Sequence, residues 1–118
     1  MYAFPFLLFR SSATLFPHEC RPTVLDADRL RFEDRYGPFR LSLARSRRGI
    51  EVRSLYVRPD LYRQGHGSAV VTALKLLLTE EDLEEIRLLT VLDGARDFWR
   101  RKHGFTLGET TGVWRRDP

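Results

Sequence analysis

Two glycines, Gly65 and Gly67, stand between an apolar run that ends at Val57 and a second apolar stretch over residues 69–78. This order predicts a strand, a glycine loop and a helix. The first N–H groups of a helix have no intrahelical partner, and the helix dipole adds partial positive charge there. Because glycine lets a ligand approach the backbone closely, the chemistry expected here is binding of a phosphate or pyrophosphate.

The same two glycines also fit a turn that binds nothing, so this pattern alone leaves both interpretations open. Two familiar phosphate-binding classes are excluded. The Lys-Ser/Thr pair of a P-loop does not follow Gly67, and Gly65-His66-Gly67 lacks the third glycine of the dinucleotide fingerprint.

A second segment adds to the pattern. The apolar residues 86–92 predict a buried central strand, and a short helix is expected to follow it and to end in Phe98-Trp99, three basic residues, His103 and Gly104-Phe105. Together the two segments, over residues 50–107, resemble the GNAT N-acetyltransferase superfamily. In that family a strand, a Gln/Arg-x-x-Gly-x-Gly/Ala loop and a helix precede a strand and a helix that closes on an aromatic pair and Gly-Phe.

The resemblance implies an α/β fold with a mixed sheet. That sheet is mostly antiparallel with a central parallel strand pair, flanked by helices at about 68–79 and 94–103. It also implies direct transfer of an acetyl group from acetyl-CoA to a primary amine in a ternary complex. No metal is expected, because His18, His66 and His103 are scattered and no Cys/His ligand spacing is present. The residues it implicates in acetyl-CoA binding are Leu55, Tyr56, Val57, Arg63, Gln64, Gly65, His66, Gly67, Ser68, Phe98 and Arg101.

For the base that deprotonates the amine, the resemblance favours Glu51, fourteen residues before Gly65, as in the histone-acetyltransferase branch. The alternative is that Glu51 is an exposed strand residue paired with a neighbouring arginine. His66 is a second candidate, since imidazole titrates in the useful range.

The acid that protonates the leaving thiolate is where the resemblance fails. Many family members place a tyrosine four residues before the glycine of the second motif, a position that Arg100 holds here. Trp99 stands one residue further back, as if one residue had been inserted. Tyr56 and Tyr62 remain as candidate acids. Tyr62 also occupies the usual Gln/Arg position three before Gly65, with Arg63 shifted by one.

Composition is that of one soluble domain, residues 1–118, with 42% hydrophobic residues, one cysteine and a net charge of +4. A single cysteine fits a reducing compartment, and we expect a cytoplasmic location. The elements expected in order are a strand in 1–10, loop over 11–28, strands at 30–34, 39–45 and 50–57, a helix from Ser68 to about Thr79, a strand at 86–92, a helix capped by Asp93 and stopped by Gly104, and a hairpin of 105–107 with 113–116.

Residues 1–50 leave little room for the two helices that wall the acceptor side in the resembled family. An open groove is therefore expected, which favours a peptide or protein amine over an enclosed small amine, or a site completed by a second copy in a homodimer.

Two other functions remain open. One is a GNAT-fold binding or assembly module without catalysis. The other, which the spread of basic residues makes the weakest, is a nucleic-acid-binding domain that uses the arginines around the hairpin, Arg31, Arg40, Arg45, Arg47, Arg48 and Arg53.

Overall fold

The computed structural model describes residues 20–26, 29–34, 39–57 and 65–116. The strands are β1 Cys20–Asp26, β2 Arg29–Asp34, β3 Phe39–Arg45, β4 Gly49–Val57, β5 Glu85–Leu88, β6 Thr106–Leu107 and β7 Gly112–Arg115. The helical elements are α1 His66–Glu80, a 3-10 turn at Asp93–Ala95 and a π-turn at Phe98–Lys102. Within these ranges, no helix combines the length and apolar character needed to cross a membrane.

All seven strands form one sheet, in the order β1-β2-β3-β4-β5-β7-β6. Every neighbouring pair is antiparallel except β4 and β5, which run parallel on either side of α1 in sequence. The predicted α/β class, with its mostly antiparallel sheet and central parallel pair, is confirmed.

The core lies between this sheet and α1. Alternate residues of β3, β4 and β5 face the helix. The helix packs against them with apolar residues spaced one turn apart along one side. Burial of each such side chain stabilises the fold by about 1.5–3 kcal/mol. The fully buried members are Leu41, Leu43, Ile50, Val70, Val71, Leu74, Leu77, Leu78 and Ile86.

The first correction concerns residues 11–28, which were expected to be loop. Residues 20–26 form β1, which pairs antiparallel with β2. The loop was predicted from Pro17, Pro22 and the absence of a 3.6-residue period. In the sheet that the described residues form, however, β1 is an edge strand, where one side needs no hydrogen-bond partner. The strand expected in residues 1–10 lies outside the described residues.

The second correction concerns the stretch after β5. The strand ends at Leu88 rather than at residue 92, and Leu92 is 72% exposed. Asp93 is not the N-cap: Leu92 holds that position, and no side chain of the described residues caps the 3-10 turn. The apolar run over 86–92 predicted too long a strand, because neighbouring strands pair with it only as far as Leu88.

The helix expected at 94–103 is present as the 3-10 turn followed by the π-turn. A π-turn is wider than an α-turn and accommodates one extra residue. The π-turn therefore accommodates the one extra residue that the sequence shows between Trp99 and Gly104. Gly104, with φ 75°, ends the segment as predicted, and the hairpin of β6 with β7 is confirmed.

Gly49 is required where β4 and β5 begin their parallel pairing. A Cβ atom on Gly49 would overlap the main-chain carbonyl of Glu85, its partner in the register. Gly49→Ala is expected to lower the free energy of unfolding by about 3 kcal/mol, because backbone of a central strand cannot move aside cheaply. Urea unfolding measures the change. Gly94→Ala, where a Cβ meets open space, is the matched control, and an equal loss in both variants would contradict the assignment.

Candidate functional site

The sheet opens between β4 and β5. Their parallel register runs only from Gly49 to Val52, and in the described residues the last bond between them is from Leu89 N–H to the Val52 carbonyl, at 3.1 Å. β4 continues to Val57 and is still paired with β3 over this length. On the β5 side, therefore, no strand of the described part of the chain pairs with residues 53–57, and this place is called the gap below.

A β-bulge marks the same point. Leu43 of β3 pairs with Val52, whereas its neighbour Ser42 pairs with Ser54, so Arg53 is an extra residue in β4. Bulges bend a strand and increase its local twist. The bulge thus provides a local cause for the separation of β4 from β5.

The N-terminus of α1 is a place where main-chain N–H groups lack an intrahelical partner. Gly65 is the N-cap, with φ 85° and ψ 4°, a left-handed conformation that glycine adopts without strain. Its carbonyl accepts the first helical bond, from Ala69 N–H at 2.9 Å. No side chain of the described residues caps the helix, and its first turn contains no acidic residue. An anion is the ligand that such an end favours.

Gly67 brings three parts of the chain together. A Cβ on Gly67 would lie 3.3 Å from Cζ of Phe98 and 3.9 Å from Cγ2 of Val57. The second glycine of the loop, the end of β4 and the π-turn therefore meet at one place. Any larger residue at 67 would project into the space between Val57 and Phe98.

His103 joins the π-turn to the same helix end. Its Nε2 lies 3.0 Å from Oγ of Ser68, its ring meets that of Phe98 edge-on at 4.8 Å, and its carbonyl accepts a hydrogen bond from the Lys75 ammonium at 2.6 Å. Burial, together with the positive charges of Lys75 and Lys102, lowers the pKa of His103 from 6.5 to about 4. The imidazole is therefore neutral near pH 7. Burial also lowers the pKa of Lys75, which lies 4.6 Å from the centre of the Trp114 ring.

This pKa shift predicts how stability depends on pH. Below pH 6.5 an unfolded histidine takes up a proton, but folded His103 does so only near pH 4, so the folded state binds fewer protons between these values. The free energy of unfolding should consequently fall as the pH drops through that window, by about 1 kcal/mol after allowance for the side chain's partial exposure. Urea unfolding of the parent and of His103→Gln measures this component, which the variant should lack. Identical pH profiles would contradict it.

The predicted β4 residues fall on both faces of the sheet. Leu55 and Val57 are partly buried against the core on the α1 side, whereas Tyr56 is exposed. Glu51 is 24% exposed at its side chain and accepts a hydrogen bond from Arg53 at 3.2 Å. The pair with Arg53 fits the alternative interpretation, but the side chain is partly buried rather than exposed, so the role of Glu51 stays a prediction. Glu51 stands two residues before the bulge.

In the second segment, Phe98 reaches the glycine loop but Arg101 is exposed and paired with Asp97 at 3.5 Å. Trp99 is buried, edge-on to Phe98 and Phe105, and Arg100 is exposed and also paired with Asp97. Neither residue supplies a phenol. The remaining candidates, Tyr62, Arg63, Gln64 and the side chain of His66, lie outside what the structure describes.

Sequence reasoning assigned no role to His103 or Lys75. His103 was one of three histidines that looked scattered, and Lys75 interrupts an apolar helix. The one available signal was Lys75 itself, a cation on the apolar stripe of α1.

Solved structures with similar folds include an acetyltransferase of the GNAT family from Staphylococcus aureus Mu50, at TM-score 0.58 and 10% identity over 74% of this chain and 66% of that one. Ard1 from Thermoplasma volcanium matches at TM-score 0.61 and 15% identity over 94% and 79%. PaiA N-acetyltransferase from Thermoplasma acidophilum, solved with coenzyme A, matches at TM-score 0.56 and 14% identity over 75% and 60%. At these identities the likeness shows the fold.

The chain thus spans about two thirds or less of the length of two of these proteins. No curated protein matches the sequence closely. The sequence profile of the acetyltransferase (GNAT) family, however, matches residues 29–105, which include the β4 bulge, the glycine loop and the π-turn. The chain therefore belongs to the GNAT acetyltransferase family.

Proposed function

We propose that this protein is an acyl-CoA-dependent N-acetyltransferase that moves an acetyl group from acetyl-CoA to a primary amine by direct transfer in a ternary complex. The observation that carries the proposal is the meeting of the uncapped start of α1 with the gap between β4 and β5, in a chain of this family. The start of α1 suits a pyrophosphate, and the gap between β4 and β5 suits an extended arm that ends in a thioester.

The main-chain N–H groups of residues 64–68 would hold the pyrophosphate, with the Arg63 guanidinium as a further contact. Phe98 and Val57 would border the pantetheine arm, because both reach Gly67. A main-chain N–H of residues 55–57 on the gap side would donate to the thioester carbonyl and stabilise the oxyanion that forms on it. That PaiA was solved with coenzyme A supports a coenzyme site in this fold.

In the reaction, the amine nitrogen attacks the carbonyl carbon of the thioester. Glu51 would accept the proton that the nitrogen loses, directly or through one water molecule, and the bond to sulfur would then break. The departing thiolate takes a proton from Tyr56 or Tyr62, the two phenols nearest the loop in sequence. Acetylated amine and free coenzyme A are the products.

The acceptor is proposed to be a peptide or protein amine, or a small amine. Tyr56 and the Glu51–Arg53 pair lie on the face of β4 away from the core, so the acceptor would reach the thioester from that side. A homodimer could complete this face.

One observation favours a second function, a binding or assembly module without catalysis. The π-turn buries Trp99 and leaves Arg100 paired with Asp97, so the segment that carries a tyrosine in many relatives has no phenol among its described side chains. Turnover distinguishes the two functions.

The test is release of free thiol from acetyl-CoA in the presence of lysine peptides, peptides with a free N-terminus and small diamines. Thiol release that depends on the amine, with a matching acetylated product by mass spectrometry, is the expected result. Binding of acetyl-CoA without turnover on any amine would favour the module instead.

A further inference from the structure

His103 is fixed to α1 at two points. Its ring nitrogen contacts Ser68 in the first turn, and its carbonyl accepts the Lys75 ammonium two turns later. The Phe98 ring packs against its edge. The imidazole is therefore held in place by main-chain and side-chain contacts, and its Nε2 is directed at a single hydroxyl.

A neutral imidazole has one N–H donor and one acceptor nitrogen. If Nε2 carries the hydrogen, it donates to Oγ of Ser68, and the hydroxyl hydrogen of Ser68 is free to donate elsewhere. If Nε2 is the acceptor, it takes that hydrogen and leaves only lone pairs facing outward. An anion in front of the helix selects the first arrangement, since it needs donors.

Ser68 is well placed to use that free hydrogen. It is the third residue of α1, next to Gly67, and it is partly exposed. Its hydroxyl therefore lies beside the uncapped N–H groups of the first turn and can add one side-chain donor to them. Lys75 and Lys102 are the charged groups that act on His103, and both disfavour a second proton on the ring.

We propose that His103 is a positioning residue of the coenzyme site, which orients the Ser68 hydroxyl so that this hydroxyl donates to the pyrophosphate of coenzyme A. The inference rests on the proposed function, because it needs coenzyme A at the start of α1. It assigns a role to the residue just before Gly104, through a contact between the second segment and the glycine loop.

The test is a double-mutant cycle with Ser68→Ala, His103→Ala and the double variant, each titrated by calorimetry with coenzyme A and with pantetheine, which lacks the pyrophosphate. Each single variant is expected to weaken coenzyme A binding about 3–10-fold, the effect of one hydrogen bond, and the double variant no more than Ser68→Ala alone. Pantetheine binding should not change. His103→Gln, which keeps a neutral N–H donor, should recover part of the loss.

Additive losses, equal losses for pantetheine, or wild-type affinity in Ser68→Ala would each overturn the inference while leaving the proposed function intact. Absence of coenzyme A binding by the parent protein would instead remove both. If His103→Ala fails to fold, His103→Gln replaces it in the cycle. Its smaller loss should vanish in the Ser68→Ala background, and a loss that persists there would overturn the inference.

Nuclear magnetic resonance gives an independent readout. A pyrophosphate beside the Ser68–His103 pair adds negative charge, so the pKa of His103 should rise from about 4 when coenzyme A binds and stay unchanged with pantetheine. An unchanged pKa in the coenzyme A complex would place the pyrophosphate elsewhere.

Discussion

Gly67→Glu is expected to weaken coenzyme A binding at least 100-fold while the protein stays folded. The new side chain would start 3.3 Å from the Phe98 ring and project between Phe98 and Val57, with its carboxylate beside the uncapped N–H groups of α1. The side chain would fill the space between Phe98 and Val57. Its carboxylate would also take the place of the pyrophosphate as the anion that accepts from those N–H groups. Charge repulsion of the pyrophosphate costs several kcal/mol, and about 3 kcal/mol already corresponds to roughly 100-fold.

Calorimetric titration with coenzyme A measures this effect. Gly108→Glu is the matched control, because it adds the same charge at an exposed glycine in the β6–β7 hairpin and should bind normally. Circular dichroism and thermal unfolding establish that both variants are folded. Equal affinity of Gly67→Glu and the parent would show that the pyrophosphate does not bind at the start of α1.

Glu51→Gln is expected to lower turnover about 100-fold with little change in coenzyme A affinity. General-base catalysis contributes about 100-fold to 10,000-fold, and the amide keeps the shape of the side chain but cannot accept the proton. The position supports the role: Glu51 is partly exposed on the non-core face of β4, two residues before the bulge at which the cleft opens.

The ion pair with Arg53 offers a way to separate this role from a structural one. Were Glu51 only a partner for Arg53, Arg53→Ala and Glu51→Gln would have the same small effect on rate, since exposed pairs contribute about 0–1 kcal/mol to stability. A catalytic Glu51 predicts that only Glu51→Gln loses turnover. Glu84→Gln, which removes the charge of an exposed partner of Arg48, is the control. An unchanged rate in Glu51→Gln would remove it as the base.

The sheet from β2 to β5 and helix α1 could be predicted because their signals are local. Residues 39–45 alternate apolar and polar, and α1 repeats apolar residues at helical spacing. β1 could not be predicted, because Pro22 is tolerated only at an edge strand, and edge position is a property of the whole sheet. The end of β5 was missed for a similar reason: Leu89 and Leu92 look like core residues, and only the fold shows that they are exposed.

The candidate site divides in the same way. The glycine loop could be predicted, because the residue type and the spacing of its glycines are visible in the sequence. The offset before Gly104 indicated an extra residue, which the π-turn accommodates. The Ser68–His103 contact, by contrast, joins residues 35 positions apart. No pattern in the sequence points from one to the other, since the contact depends on how the π-turn packs against α1.

The central claim, that the start of α1 and the gap beside β4 form a coenzyme site, is tested most directly by titration of the parent protein with acetyl-CoA, with pantetheine as the control. We expect a dissociation constant in the micromolar range, about −8 kcal/mol, and much weaker binding of pantetheine, which lacks the pyrophosphate and the adenosine phosphate attached to it. No heat of binding at millimolar acetyl-CoA, or equal affinity for both ligands, would contradict the claim.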